Sequence, residues 1–426
     1  MIPINEEVKS FINNQREDYV DLLKQMVQRE SLAGHEASVQ DLVEERLNSN
    51  GLMVDRWELD YKQLSKHPEF CASRTDFEGS ENVVGVWKGE GGGKSLILNG
   101  HVDVVPEGEL DQWDKAPYSG EVKGGRLYGR GSTDMKGGNL ASLIALEALK
   151  KTGVRLKGDV IFQSVVEEEA GGSGTLSTIE RGYKADAALI PEPTNLAIFP
   201  VQQGSMWFKV HIYGKSAHGG TRYEGISAIE KAFKVNEAIL SLERERNELL
   251  SRDLYDGNPI PVPINIGTIN GGNWPSSVPD HLEMEGRMGV IPGEIPQQAK
   301  SEMEERLRKL SEQDEWFAEH PVKIEWFGAR WLPGEIDENH PFLERLEESY
   351  TSHKGQAPVM KASPWGTDGG LLSTIGNIPT VVFGPGTTSE AHQPNESIEL
   401  DAIFDCATIM ADTILEWCEV AERKEE

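Results

Sequence analysis

Two short apolar runs, SLILNGH at 95–101 and DVIFQSVV at 159–166, flank a helical stretch carrying Leu140, Leu143, Ile144 and Leu149, and each gives way to polar or acidic residues. Strand, helix and strand at this spacing predict an α/β layer. Its parallel strands are buried on both faces, which is why they read as apolar throughout instead of alternating. Open sheets of this kind hold ligands beyond the carboxyl ends of their strands. Chemistry is therefore to be sought where the apolar runs stop.

The first 50 residues read as helices, with Val39, Leu42, Val43 and Leu47 at i, i+3, i+4 spacing and Gly51 as the stop. From Val201 the pattern changes to WFKVHIYGKSAH, a long helix near 225–250, PINIGTINGG, HLEMEGRMGV and a charged helix near 296–312. The α/β character resumes with a helix from His340, the strand IPTVVFG at 378–384, and a closing helix with Ile403, Cys406, Met410, Ile414 and Trp417 on one face. A chain of 426 residues is long for one hydrophobic core. The expected fold is an α/β domain at 1–200 and 333–426, a mixed, mostly parallel sheet flanked by helices. A smaller α+β (ferredoxin-like) domain is inserted at 201–332. The charged tail ERKEE is expected to be disordered.

Charge and cysteine content narrow the partners. A net charge of -29 argues against nucleic acid, whose phosphates call for clustered Lys and Arg. No apolar run approaches the roughly 20 residues that cross a bilayer, so no membrane partner is expected. The N-terminus MIPINEEVKSF lacks a basic stretch followed by an apolar core, which makes a cytoplasmic location the default. Cys71, Cys406 and Cys418 form no close pair, so neither a disulfide framework nor a thiolate zinc site is expected. Any metal has to be held by imidazole and carboxylate.

Such groups recur at the ends of the apolar runs. His101 and Asp103 in LNGHVDVVP lie two apart, so they share one side of a strand, and a carboxylate there can orient a metal-binding imidazole. Asp134 in GRGSTDMKGG precedes an apolar helix. Glu167, Glu168 and Glu169 follow a buried strand directly, and three adjacent carboxylates resist desolvation unless a cation compensates them. Glu192 in ALIPEPTN and His392 in FGPGTTSEAHQPNES complete the set. Taken singly, each has an ordinary explanation: a structural His-Asp pair, a helix cap, a solvated charge run. Together they supply two imidazoles and three carboxylates, enough for two divalent ions sharing one carboxylate, with a further glutamate left as a base.

In chain order, His101, Asp134 33 residues later, the acidic pair inside EEEAGGSGT, EPT at 192–194, GKSAHGG at 214–220 and AHQPNE at 391–396 mark a resemblance that covers essentially the whole chain. The chain resembles the binuclear metallohydrolases that include acetylornithine deacetylase, succinyl-diaminopimelate desuccinylase, aminoacylase and carboxypeptidase G. That resemblance implies two divalent metal ions, zinc with cobalt or manganese as alternatives. Asp134 would bridge them, His101 and Glu192 would complete one, and Glu169 and His392 the other. Asp103 would support His101. Fitting Gly171 to the family's glycine makes Glu167 the replacement for the family's Asp, Glu168 the base and Glu169 the ligand, and a register shifted by one residue changes both roles. His218 in GKSAHGG would reach across a dimer interface to stabilise the oxyanion, making the inserted domain a dimerisation domain and the protein a homodimer. Arg287 would face a substrate carboxylate, and Thr367 and Asp368 in GTDGG match the family's substrate loop. Two departures stand out: Ser276 and Ser277 replace an Asn before Val278-Pro279, and GTDGG lacks the Arg that follows it in the desuccinylases.

The activity this implies is removal of an acetyl, succinyl or formyl group from the nitrogen of a small amine or amino acid, with Glu168 taking the proton of the attacking water. Deformylation of an N-formyl aminomethylpyrimidine is a variant favoured by the missing Arg, and dipeptidase or carboxypeptidase action uses the same groups. A non-catalytic scaffold is expected to have lost ligands or base, and this chain has kept them.

Overall fold

The computed structural model describes residues 3–72, 74–250 and 253–421. The tail ERKEE lies outside them. The chain divides into two compact units, one of Met1–Gln202, Gly334–Lys361 and Thr367–Glu426, the other of Gln203–Pro333 and Ala362–Gly366. Sequence placed Ala362–Gly366 in the α/β part. In the structure it belongs with the smaller unit, because the backbone and side-chain amides of Gln203 donate to the carbonyls of Ser363 and Pro364 respectively.

The larger unit is α/β. Its main sheet among the described residues has nine strands, in the order Met53–Glu58, Glu81–Trp87, Val160–Val165, Leu96–His101, Ala187–Ile190, Thr380–Val382, Ile198–Gln202 and Gly334–Glu335, with Met360–Ser363 also pairing Ile198–Gln202. The central four, Val160–Val165 through Thr380–Val382, run parallel, and antiparallel strands flank them. Val160–Val165, Leu96–His101 and Ala187–Ile190 are buried at every residue, as expected for strands covered on both faces.

Helix Gly137–Lys151 is buried at every position from Gly137 to Leu149, so its apolar surface extends well beyond one stripe. It packs against the closing helix Leu400–Cys418. The early stripe differs in one place. Within helix Ala37–Ser49, Gln40 is buried where Leu42 was expected, and its amide donates to the carbonyls of Glu81 and Ser164.

The smaller unit is a four-stranded antiparallel sheet in the order Ile264–Gly271, His281–Val290, Gly204–Tyr213, Lys323–Trp331. With helices Ala228–Glu248 and Pro296–Gln313 in the connections, it has the ferredoxin-like βαββαβ order. Phe208, Val210, Ile212, Leu282 and Met284 from the sheet meet Val235, Ile239, Met303 and Leu307 from the helices in its core. Strand Lys323–Trp331 was not anticipated, although Ile324 and Trp326 carry a two-residue period. Among the described residues, no helix is long and apolar enough to cross a membrane.

Candidate active site

Parallel strands end on one edge of a sheet, so residues following them converge. His101 closes its strand, Glu167 to Glu169 follow Val160–Val165, Glu192 follows Ala187–Ile190, and His392 lies beyond Thr380–Val382. Asp134 joins them from the Ser132–Lys136 turn ahead of helix Gly137–Lys151. Gly138 permits this approach: a Cβ there would lie 1.9 Å from the Pro191 carbonyl oxygen, so the helix start sits against the turn that carries Glu192.

Asp134 stands between two imidazoles. His101 Nε2 is 3.3 Å from Asp134 Oδ1 and 3.5 Å from Glu192 Oε1, while His392 Nε2 is 3.2 Å from Asp134 Oδ2 and 3.0 Å from Glu169 Oε1. The donor atoms form two trios, His101-Asp134-Glu192 and Asp134-Glu169-His392, each with all atoms within 4.8 Å of one another. Asp134 belongs to both.

His101 is held by a different atom than sequence suggested. Its Nδ1 lies 2.9 Å from the main-chain carbonyl of Asp103, whereas the Asp103 carboxylate is 3.6 Å away and accepts the backbone N–H groups of Glu168 and Glu169. A carbonyl only accepts, so the neutral ring carries its proton on Nδ1 and turns the Nε2 lone pair toward Asp134 and Glu192. Nε2 is sealed from solvent and has no hydrogen-bond partner. That is how a ligand atom is presented to a cation.

Arg74 sorts the three glutamates. Its guanidinium binds Glu167 Oε1 through Nε at 2.8 Å and through Nη2 at 2.7 Å, and it also reaches Ser80 and the buried Glu36. Glu167 therefore faces away from the donor trios, at a backbone φ of 64° that non-glycine residues seldom adopt. Glu169 faces His392. Glu168 is only 6% exposed. Burial, reinforced by Asp368, Glu192 and Glu169 against the pull of His101, raises its pKa well above the usual carboxylate range.

The same forces act throughout the cluster. Burial and the charge of Asp134 push Glu192 up to about 8, and burial pushes Asp368 up to about 7. Burial opposes ionisation of Asp134 as well, but His101 and His392 hold its carboxyl well below the usual range. A buried group of carboxylates in which several can ionise only at a cost is one that divalent cations stabilise. The donor types, the shared Asp134 and the orphaned His101 Nε2 all fit two such ions.

Two supports were not foreseen. Glu396 accepts the N–H groups of Thr133 and Asp134 through Oε1, and Oε2 is bound by buried Arg130 at 2.7 Å. Thr367 and Asp368, expected to meet substrate, are each 2% exposed, and Asp368 Oδ1 has no hydrogen-bond partner. The Thr367 hydroxyl donates to Gln202, and Asp368 accepts from Thr175. The signal for Glu396 was its place in AHQPNE, but its partners lie over 260 residues away.

His218 and Arg287 lie in the smaller unit. The N–H of Gly220 donates to His218 Nδ1 at 3.0 Å, so the neutral ring carries its proton on Nε2, as an exposed donor. Arg287 is half-buried on strand His281–Val290, across from Trp207 and Asn265, and desolvation lowers its pKa.

Residues 97–416 match the profile of the peptidase family M20/M25/M40. The chain is 30% identical over 433 aligned residues, 96% of both chains, to N-formyl-4-amino-5-aminomethyl-2-methylpyrimidine deformylase of Bacillus subtilis. It is 27% identical over 375 residues, 87% of this chain and 92% of the relative, to acetylornithine deacetylase of Vibrio parahaemolyticus. In fold it is similar to a tripeptidase from Staphylococcus aureus, with a TM-score of 0.72, 22% identity, and coverage of 95% of this chain and 98% of that one. The chain belongs to the peptidase family M20/M25/M40, and it is a metal-dependent hydrolase of C–N amide bonds.

Proposed function

We propose that the protein is a zinc-dependent deacylase that removes a formyl group from the nitrogen of an aminomethylpyrimidine. The hydrolytic part rests on the two donor trios that share Asp134, with Glu168 buried among the same carboxylates. His101, Asp134 and Glu192 would hold one ion, and Asp134, Glu169 and His392 the other; nitrogen and oxygen donors without thiolate suit zinc, with cobalt or manganese as alternatives. Bound there, the ions supply Lewis-acid polarisation of water and of the scissile carbonyl. Glu168, its affinity for protons raised by burial, accepts a proton as the water oxygen attacks the carbonyl carbon. It then returns that proton to the nitrogen as the C–N bond breaks. His218 Nε2–H is a donor suited to the oxyanion.

The formyl-pyrimidine assignment is supported by near full-length similarity to two bacterial deformylases. A second reading is favoured by Arg287 itself. A half-buried guanidinium suits a substrate carboxylate, as in an acylated amino acid.

Assembly as a homodimer is part of the proposal. The smaller unit leaves strand Ile264–Gly271 as an open edge, and Ile229, Phe233, Ile269 and Trp274 are exposed on it. Open edges and apolar patches of this kind are usually covered by a partner.

The deciding experiment supplies zinc or cobalt and compares the N-formyl aminomethylpyrimidine with N-acetylornithine, N-succinyl-diaminopimelate and dipeptides. Fastest turnover of the formyl compound is expected. Preference for acetylornithine would establish the second reading, and release from dipeptides alone would overturn both.

A further inference from the structure

In the smaller unit, a second group of imidazoles and carboxylates lies on the sheet face opposite the core. Val210, Ile212, Leu282 and Met284 fill the core, so their strand neighbours His211, His281 and Glu283 point to the other side. His211 stands directly across from Glu283 on one neighbouring strand and from Lys323 on the other. His281 pairs with Tyr213, one diagonal step away. His211 Nδ1 is 3.1 Å from Glu283 Oε1, and His281 Nε2 is 3.9 Å from the same oxygen. The three donors all lie within 4.8 Å of one another.

We propose that His211 Nδ1, His281 Nε2 and Glu283 Oε1 bind a divalent transition-metal ion of the zinc class, separate from the trios that share Asp134. Tetrahedral zinc with bonds of about 2.0–2.1 Å sets its ligands about 3.4 Å apart, so the observed separations need only small side-chain shifts. Glu325 Oε1 lies 3.2 Å from His211 Nε2, on the far side of the ring, and is the acceptor that would take the Nε2 proton when Nδ1 binds a cation. His211 Nε2 and His281 Nε2 are both shielded from solvent without a hydrogen-bond partner.

The nearby ammonium groups leave the position open. Lys209 Nζ is 3.0 Å from Glu285 and 4.0 Å from Glu283 Oε2, the oxygen turned away from the imidazoles, while Lys323 Nζ lies over the Tyr213 ring. A water would complete the coordination.

The test uses the full-length protein, stripped with a chelator and titrated with zinc chloride. Wild type is expected to bind one more equivalent per chain than the double variant His211→Gln, His281→Asn, with hydrolytic activity equal in both. Because the readout is a difference, it does not depend on how many ions the catalytic cluster holds. Glu283→Gln keeps both rings and is expected to weaken that equivalent at least tenfold, which covers the case of a misfolded double variant. Equal stoichiometry in wild type and the double variant, or unchanged affinity in Glu283→Gln, would overturn the proposal and leave the rings as simple ion-pair partners of the glutamates.

Discussion

The larger unit gathers its ionisable groups where four parallel strands end, with His101, Glu167, Glu168 and Glu192 all at 6% exposure or less. The smaller unit spreads His211, Glu283, Glu285 and Lys209 over the open face of an antiparallel sheet. In the first, these four groups have lost their water and depend on a named partner or a cation. In the second, cross-strand neighbours and solvent share the work. The same residue types are therefore held under very different constraints, and substitutions in the two places should differ in scale.

The largest effect is expected at Glu168. Glu168→Gln keeps size and hydrogen bonding but removes the base, so kcat should fall by about 10²–10⁴-fold while metal content stays at the wild-type level. Loss of metal together with activity would show Glu168 to be a ligand and shift the glutamate register by one.

Arg74 comes next, and it bears on stability. Arg74→Met leaves the Glu167 carboxylate buried without its partner, which should cost about 3–5 kcal/mol in denaturant unfolding. Adding Glu167→Gln removes the stranded charge and should recover much of that loss. A single-variant cost as small as that of an exposed ion pair would show that burial at this strand end matters less than the comparison requires.

How far the sequence could be read follows the same division. Apolar runs ending in acids identify parallel strand ends because burial on both faces removes polar residues from the strand itself, so His101, the run Glu167 to Glu169 and Glu192 could be placed on one sheet edge from the sequence, whereas Asp134 in its turn and His392 well beyond its strand fall outside that rule. Which of the three adjacent glutamates faces which way is not marked locally, since Arg74 lies 93 residues before Glu167. The contact that holds Thr367 is equally distant, its hydroxyl donating to Gln202 165 residues away. In the smaller unit, strand Lys323–Trp331 was missed because an edge strand with one solvated face mixes charged, aromatic and small residues.

A smaller effect is expected from Gly138→Ala, which places a methyl carbon 1.9 Å from the Pro191 carbonyl oxygen. Forced displacement of this kind costs about 1–3 kcal/mol. It should also separate the Asp134 turn from Glu192, weakening metal binding more than it changes kcat at saturating metal. Equal metal affinity in the variant would show that the helix start does not set the spacing of the trio.

The gentlest probe is pH, applied to protein freed of metal. Burial and the Asp134 charge push Glu192 up to about 8, and burial pushes Asp368 up to about 7, whereas carboxyls of an unfolded chain titrate near 4. Between those limits the folded protein binds more protons than the unfolded one, so its stability declines as pH rises from about 5 to about 8. His392, which burial alone would lower, is held up to about 11 by Asp134 and Glu169, and it adds a decline of the same sign above its unfolded value near 6.5. Bound cations take the place of those protons. The Tm of zinc-loaded protein should therefore change little over this range while that of chelated protein falls, and the gap between them should widen with pH. A gap of constant size would mean that the buried carboxylates share their charge with other groups, and the contrast between the two units would lose its electrostatic basis.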